Sequence, residues 1–251
     1  MRLLLTLLLI AVPANKAFID RAKGATALLY AQDASGTMTM RCTLTAIARG
    51  DSLATKGAVY RYEFAGAAHC IGVDDVVKER VASYRNIPFY VTFDDSRQKK
   101  FYAARVLEVG YQHRGDDFAV FEVRSDEIWP VVPVGDERKE EEGNAVINLA
   151  SPLGLGRQVF HGHISKMELD RPLIEGDINW RGAMLLQMSG TNGGSSGSAI
   201  MSEEQEAIVG FLVGTIGGTS IAAIPASKFS AFRARVAAGM YRWADAVDSE
   251  Q

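Results

Sequence analysis

Thr191-Asn192-Gly193-Gly194-Ser195-Ser196-Gly197-Ser198-Ala199-Ile200 sets glycines on both sides of Ser196 and runs straight into strand-forming residues. Without side-chain bulk a substrate carbonyl can approach the main chain, and glycine alone takes positive φ cheaply. The run therefore suits a serine whose hydroxyl and neighbouring N–H groups face a substrate. It is equally the composition of an ordinary turn or flexible loop. With 24 glycines in the chain, the surroundings decide its meaning.

Those surroundings are short runs of β-branched and aromatic residues separated by turn signals. Strands are predicted near 25–31, 37–48, 59–65, 89–93, 102–109 and 118–123. A second set is predicted near 144–149, 158–167, 184–188, 198–202, 207–213 and 219–224. The polar stretch 124–143, holding Pro130 and Pro133, separates them. This spacing predicts an all-β fold of two six-stranded antiparallel β-barrels, about 25–123 and 144–224, joined by that linker. Short helices are predicted over 17–23 and 74–84, and Pro225 introduces a C-terminal helix over 226–247. In that helix Phe229, Phe232, Val236, Met240 and Trp243 recur at helical spacing, a stripe for packing on the second barrel. The charge run Glu137-Arg138-Lys139-Glu140-Glu141-Glu142 reads as a solvated loop.

The 251 residues are 47% hydrophobic and 23% charged, ordinary globular usage and enough to bury a real core. A net charge of -3 with mixed signs gives no basic field for nucleic acid. Arg2, an apolar stretch over 3–12 broken only by Thr6, and Ala14 make the pattern of a secretory signal peptide over 1–14. Val12 and Ala14 stand third and first before the cut, leaving 15–251 as the mature domain. The apolar stretch is too short to span a bilayer, so no stable membrane span is expected after leader removal. A secreted or periplasmic location follows. Two cysteines, Cys42 and Cys70, then permit one disulfide, the alternative being two buried thiols.

Two further motifs change the reading of Ser196. Gly66-Ala67-Ala68-His69-Cys70 ends a strand with small residues ahead of a histidine. Asp116-Asp117-Phe118-Ala119-Val120-Phe121-Glu122-Val123 opens an apolar strand with an acid, and Asp117 directly precedes the buried-looking run. A serine hydroxyl is a poor nucleophile at neutral pH and needs a base to take its proton. Histidine, with an unperturbed pKa near ~6.5, suits that task, and a carboxylate on its other ring nitrogen fixes the tautomer. The chain order His69, Asp117, Ser196 is that of the chymotrypsin arrangement.

On these motifs most of the mature chain, about 25–237, resembles the chymotrypsin-like serine proteases. The aspartate strand, Ala150-Ser151-Pro152-Leu153-Gly154-Leu155-Gly156, Gly162-His163-Ile164-Ser165 and Ala223-Ile224-Pro225 resemble the bacterial high-temperature-requirement branch. The resemblance implies an active site between two barrels, with His69 and Asp117 from the first and Ser196 from the second. It implies an oxyanion hole at the N–H groups of Gly194 and Ser196, and a disulfide between Cys42 and Cys70. It implies polypeptide substrates and no cofactor. Ser195 stands where digestive members carry an aspartate, and no Ile-Val-Gly-Gly start is present, so activation by that ion pair is not expected. No PDZ-length segment follows the last helix, and Gly66 replaces the usual threonine.

For specificity, the resemblance places Gly190, Leu212 and Gly214 at the pocket for the residue before the scissile bond. Gly190 is not the acid that selects Arg or Lys, and Leu212 is not the histidine of glutamyl-specific members. A preference for uncharged, apolar residues is expected. His161 and His163 form a pair on one strand, but no third ligand is apparent, so no metal site is expected. His113 reads as a surface residue. A catalytically silent binding module on this fold, or an esterase with the same triad, are the alternatives.

Overall fold

The computed structural model describes residues 15–50, 59–71, 87–93, 99–110, 115–169, 173–175, 178–180, 182–216 and 218–239. The leader, the helix expected over 74–84, His113, and Met240 and Trp243 of the helical stripe lie outside the described residues.

The first barrel is built from β1 (Thr26–Gln32), β2 (Met38–Gly50), β3 (Tyr60–Gly66), β4 (Phe89–Thr92), β5 (Tyr102–Val109) and β6 (Ala119–Ser125). Its antiparallel order is β1-β2-β3-β6-β5-β4, with β4 closing on β1. The second barrel is built from β7 (Ala145–Ala150), β8 (Gln158–Lys166), β11 (Met184–Gln187), β12 (Ala199–Ser202), β13 (Ala207–Ile216) and β14 (Ser220–Pro225). They close in the order β11-β14-β13-β12-β7-β8. The fold is the expected double barrel. A hairpin of β9 (Leu173–Glu175) and β10 (Ile178–Trp180) stands outside both barrels. Three residues per strand are too few to show a period in the sequence.

Burial along β2 locates the contact between the barrels. Its first four residues are exposed or half-buried, whereas Cys42, Thr43, Leu44, Thr45 and Ala46 are all buried. Alternate side chains of a strand point to opposite faces, so both faces of this segment are covered. The barrel interior covers one, and the second barrel covers the other at Thr43, as its bonds below show.

Helix α1 (Lys16–Ala25) precedes β1, close to the predicted 17–23. Asn15 caps it, its Oδ1 accepting from Phe18 N at 3.2 Å, an arrangement worth about 1 kcal/mol. Helix α2 (Ala226–Ala237) follows β14. Phe229 and Phe232 are buried, and their rings lie 5.3 and 5.8 Å from that of Phe118, which itself lies 5.9 Å from Phe211. The apolar stripe thus reaches the residue ahead of β6 as well as the second barrel.

The charge run of the linker is not wholly solvated. Glu137 is buried, and its carboxylate accepts from Ser227 N at 2.8 Å and from the Ser227 hydroxyl, capping α2. Glu140, also buried, accepts from Asn144 Nδ2 at 3.0 Å and Gln205 Nε2 at 2.5 Å. Composition marks such a run as surface, but a carboxylate is buried readily where N–H donors await it. Among the described residues no helix is long and apolar enough to cross a membrane.

Candidate active site

His69 sits in a short 3-10 turn, Ala68–Ile71, directly after β3. Asp117 sits one residue before Phe118, and the turn ahead of β6 is closed by Phe118 N donating to Asp116 O at 2.8 Å. Because β3 and β6 are paired with Gly66 opposite Ala119, their adjoining ends bring the two residues together. Asp117 Oδ2 lies 2.7 Å from His69 Nδ1, and Oδ1 accepts from the His69 backbone N–H at 2.9 Å. The carboxylate is fully buried, and the imidazole retains 18% exposure. A buried carboxylate is tolerated only when hydrogen-bonded, and here both oxygens serve the histidine.

The second barrel brings Ser196 to the same place. Thr43 N donates to Ser196 O at 3.1 Å, and Cys70 Sγ lies 3.9 Å from the same oxygen. That sulfur carries no proton, being bonded to Cys42, so the approach is packing and not a hydrogen bond. The Cys42–Cys70 disulfide ties β2 to the histidine turn across a separation of 28 residues.

The three serines of the run have separate fates. Ser195 is buried, and its Oγ accepts from Asn192 N at 3.2 Å. Ser198 is buried and accepts from Asn148 Nδ2 at 2.8 Å. Ser196 alone of the three keeps solvent exposure.

The glycines answer to close approaches. Gly194 has φ 93°, and a Cβ there would meet Ser151 O at 2.7 Å; Gly197 has φ 78°, and a Cβ would meet Ala67 N at 2.7 Å. The first shapes the turn and the second lets the barrels touch. Each carbonyl of the turn is tied back: Gly193 O accepts from Leu153 N, Gly194 O from Thr43 Oγ1, Ser195 O from Ser198 N. In a trans peptide the C=O and the following N–H point opposite ways. Tying the carbonyls of Gly193 and Ser195 therefore aims the N–H groups of Gly194 and Ser196 away from those partners. Among the described residues neither N–H donates to a backbone acceptor.

Gly190 is exposed at φ 92°, with a Cβ position 2.6 Å from the half-buried Phe160 ring. Leu212 is buried among the second-barrel core residues, its N and O bonded to Ser198 and Gly197, and Gly214 is half-buried in β13. Phe160 and Thr43 border this region and carried no sequence signal, because their partners are remote in the chain. His161 and His163 are both exposed on β8. Cys42, His69 and Cys70 bring potential ligand atoms within 4.8 Å of one another, but disulfide sulfurs have no thiolate to offer a metal.

Two arginines of α2 hold the framework by salt bridges. Arg235 Nη2 lies 2.7 Å from both oxygens of Asp116, the residue ahead of Asp117. Arg233 reaches Glu63 of β3 and Glu108 of β5, each at 2.9 Å. Burial, with the Glu63 charge adding to it, pushes the Glu108 carboxyl up, and Arg233 only partly offsets this.

No curated protein sequence matches the chain. Solved structures of the HtrA-type protease AlgW, one with a tripeptide and one with a decapeptide, superpose with TM-score 0.61 at 16% identity. Both superpositions cover 87% of this chain, which spans 62% and 66% of those chains. This likeness shows the fold. The family profile of the trypsin-like peptidase domain matches residues 57–211, more than half of the sequence, and the chain belongs to that family.

Proposed function

We propose that the chain is a serine endopeptidase working through Ser196, His69 and Asp117. The observation that carries this is the buried Asp117 carboxylate gripping both the ring and the backbone of His69, beside the one serine of the glycine-rich turn that is not fully buried. Asp117 Oδ2 accepts a hydrogen bond from Nδ1–H, which keeps that proton on Nδ1 and leaves Nε2 as the base. Ser196 Oγ attacks a peptide carbonyl as its proton passes to Nε2, and the carbonyl oxygen gains the negative charge. The N–H groups of Gly194 and Ser196 receive that oxyanion, and such donors contribute about 3–4 kcal/mol each to the transition state. The C–N bond then breaks, the amine leaves with the histidine's proton, and an acyl-enzyme remains. Water repeats the sequence and releases the acid.

Family membership and the peptide-bound relatives of the same fold support polypeptide substrates. The uncharged Gly190, beside the Phe160 ring, supports a preference for apolar residues before the scissile bond. The leader pattern over 1–14 supports export, and the Cys42–Cys70 disulfide suits an oxidising compartment.

The test compares wild type with Ser196→Ala on fluorogenic casein and with a fluorophosphonate probe. Wild type cleaves and is labelled, and the variant does neither. Equal cleavage by both refutes the assignment, and labelling without proteolysis assigns the triad to ester substrates. A peptide-library profile dominated by Arg, Lys or Glu overturns the specificity.

A further inference from the structure

Thr43 lies in β2, fully buried in the contact between the barrels. Its N–H donates to Ser196 O at 3.1 Å. Its Oγ1 donates to Gly194 O at 2.8 Å and accepts from Ser151 N at 3.0 Å. One hydroxyl thus acts as donor and acceptor at once, as its chemistry permits. It links three segments: a first-barrel strand, the nucleophile turn, and the 151–156 loop, whose Ser151 O backs onto Gly194.

The bonded carbonyl matters more than the count of bonds. The Gly194–Ser195 peptide plane lies between the two planes that carry the Gly194 and Ser196 N–H groups. Fixing its C=O fixes the rotation available to both neighbours. We propose that Thr43 is a positioning residue that holds these two N–H groups in register with His69 and Asp117 across the barrel contact. The proposal rests on the catalytic reading above and adds the inter-barrel strut that reading needs. A purely packing role would be met by valine, which has the same shape. Valine would leave both the Gly194 carbonyl and the Ser151 N–H without their buried partner.

Donors aimed at the oxyanion act on the transition state and little on the ground state. Thr43→Val is therefore expected to lower kcat by about 10–100-fold, with KM within about threefold of wild type. Rates are taken per active site by fluorophosphonate titration, so any loss of folded protein divides out. Thr43→Ser keeps the hydroxyl and restores kcat to within about threefold. A peptide boronate, which mimics the tetrahedral state, loses affinity for Thr43→Val in proportion to kcat. Where Thr43→Val does not accumulate, Thr43→Cys, with its weak S–H donor, gives an intermediate kcat. Unchanged kcat in Thr43→Val or full rate in Thr43→Cys overturns the proposal, as does a Thr43→Ser rate no better than that of Thr43→Val. Wild type inactive on casein and unlabelled marks failure of the catalytic reading instead.

Discussion

Asp117 spends both carboxylate oxygens on one residue, and this makes its identity chemically exacting. Oδ1 takes the His69 backbone N–H at 2.9 Å, and Oδ2 faces Nδ1 at 2.7 Å. An asparagine can keep the first bond through its carbonyl oxygen, which forces its NH2 toward Nδ1. The ring must then accept there and carry its proton on Nε2, where the serine proton has to go. Asp117→Asn is expected to fold with unchanged Tm and to lose about 10⁴-fold in kcat, the loss typical of a wrong tautomer. Single-turnover kinetics on an ester substrate measures it, and a loss below tenfold would show that Asp117 does not orient the base. With His69 as the proposed base, its protonation in acid removes the proton acceptor, and kcat/KM is expected to fall on the acid limb.

At the scale of elements, α2 straps the first barrel through Arg233, which spans Glu63 on β3 and Glu108 on β5. Glu108 is ionised at a cost, since burial and the Glu63 charge raise its pKa more than Arg233 lowers it. A carboxyl whose folded pKa lies above the unfolded value contributes stability at acid pH and loses it as pH climbs through the folded value. Glu108→Gln removes that loss: relative to wild type its Tm is expected to rise between about pH 4 and neutrality. Calorimetry at both ends of that window tests it, and a constant difference would refute it. The strands were legible because bulk, branching and turn residues act locally, and His69 and Asp117, which lie 2.7 Å apart, could be singled out because each stands at the end of a strand. Ser196 is proposed from the glycines around it, and the structure adds that Ser195 and Ser198 are tied inside. What stayed hidden depends on distant partners. Thr43 meets Ser151 and Gly194 across separations of 108 and 151 residues. Glu137 takes its donors 90 residues on, so a buried cap read as a solvated charge.

For the whole molecule, α1 and α2 stitch the barrels together, and the α1 stitch begins where the leader reading places the cut. Asn15 N donates to Glu203 Oε2 at 3.0 Å, and its side-chain amide reaches Glu206 Oε1 at 2.5 Å. Arg21 holds the other Glu206 oxygen, and the hydrogen bond it donates lowers that carboxyl's pKa. Both acids lie in the turn between β12 and β13, and β12 follows directly from the Ser196 run. Hydrolysis of the Ala14–Asn15 bond by a leader peptidase gives Ala14 a carboxylate and converts the Asn15 amide into an ammonium. A positive charge at the start of α1 opposes the helix dipole, and Glu203 is placed to offset it. The intact mass of protein recovered from the exported fraction is expected to begin at Asn15. In that form Glu203→Gln should lower Tm by roughly 1–3 °C, the scale of a partly exposed ion pair in a domain of this size. In a form carrying Gly-Ala ahead of Asn15 the nitrogen stays a neutral amide, and the same substitution should cost visibly less. Equal losses in the two forms would reduce Glu203 to an ordinary hydrogen-bond acceptor, and a mass beginning elsewhere would move the cut.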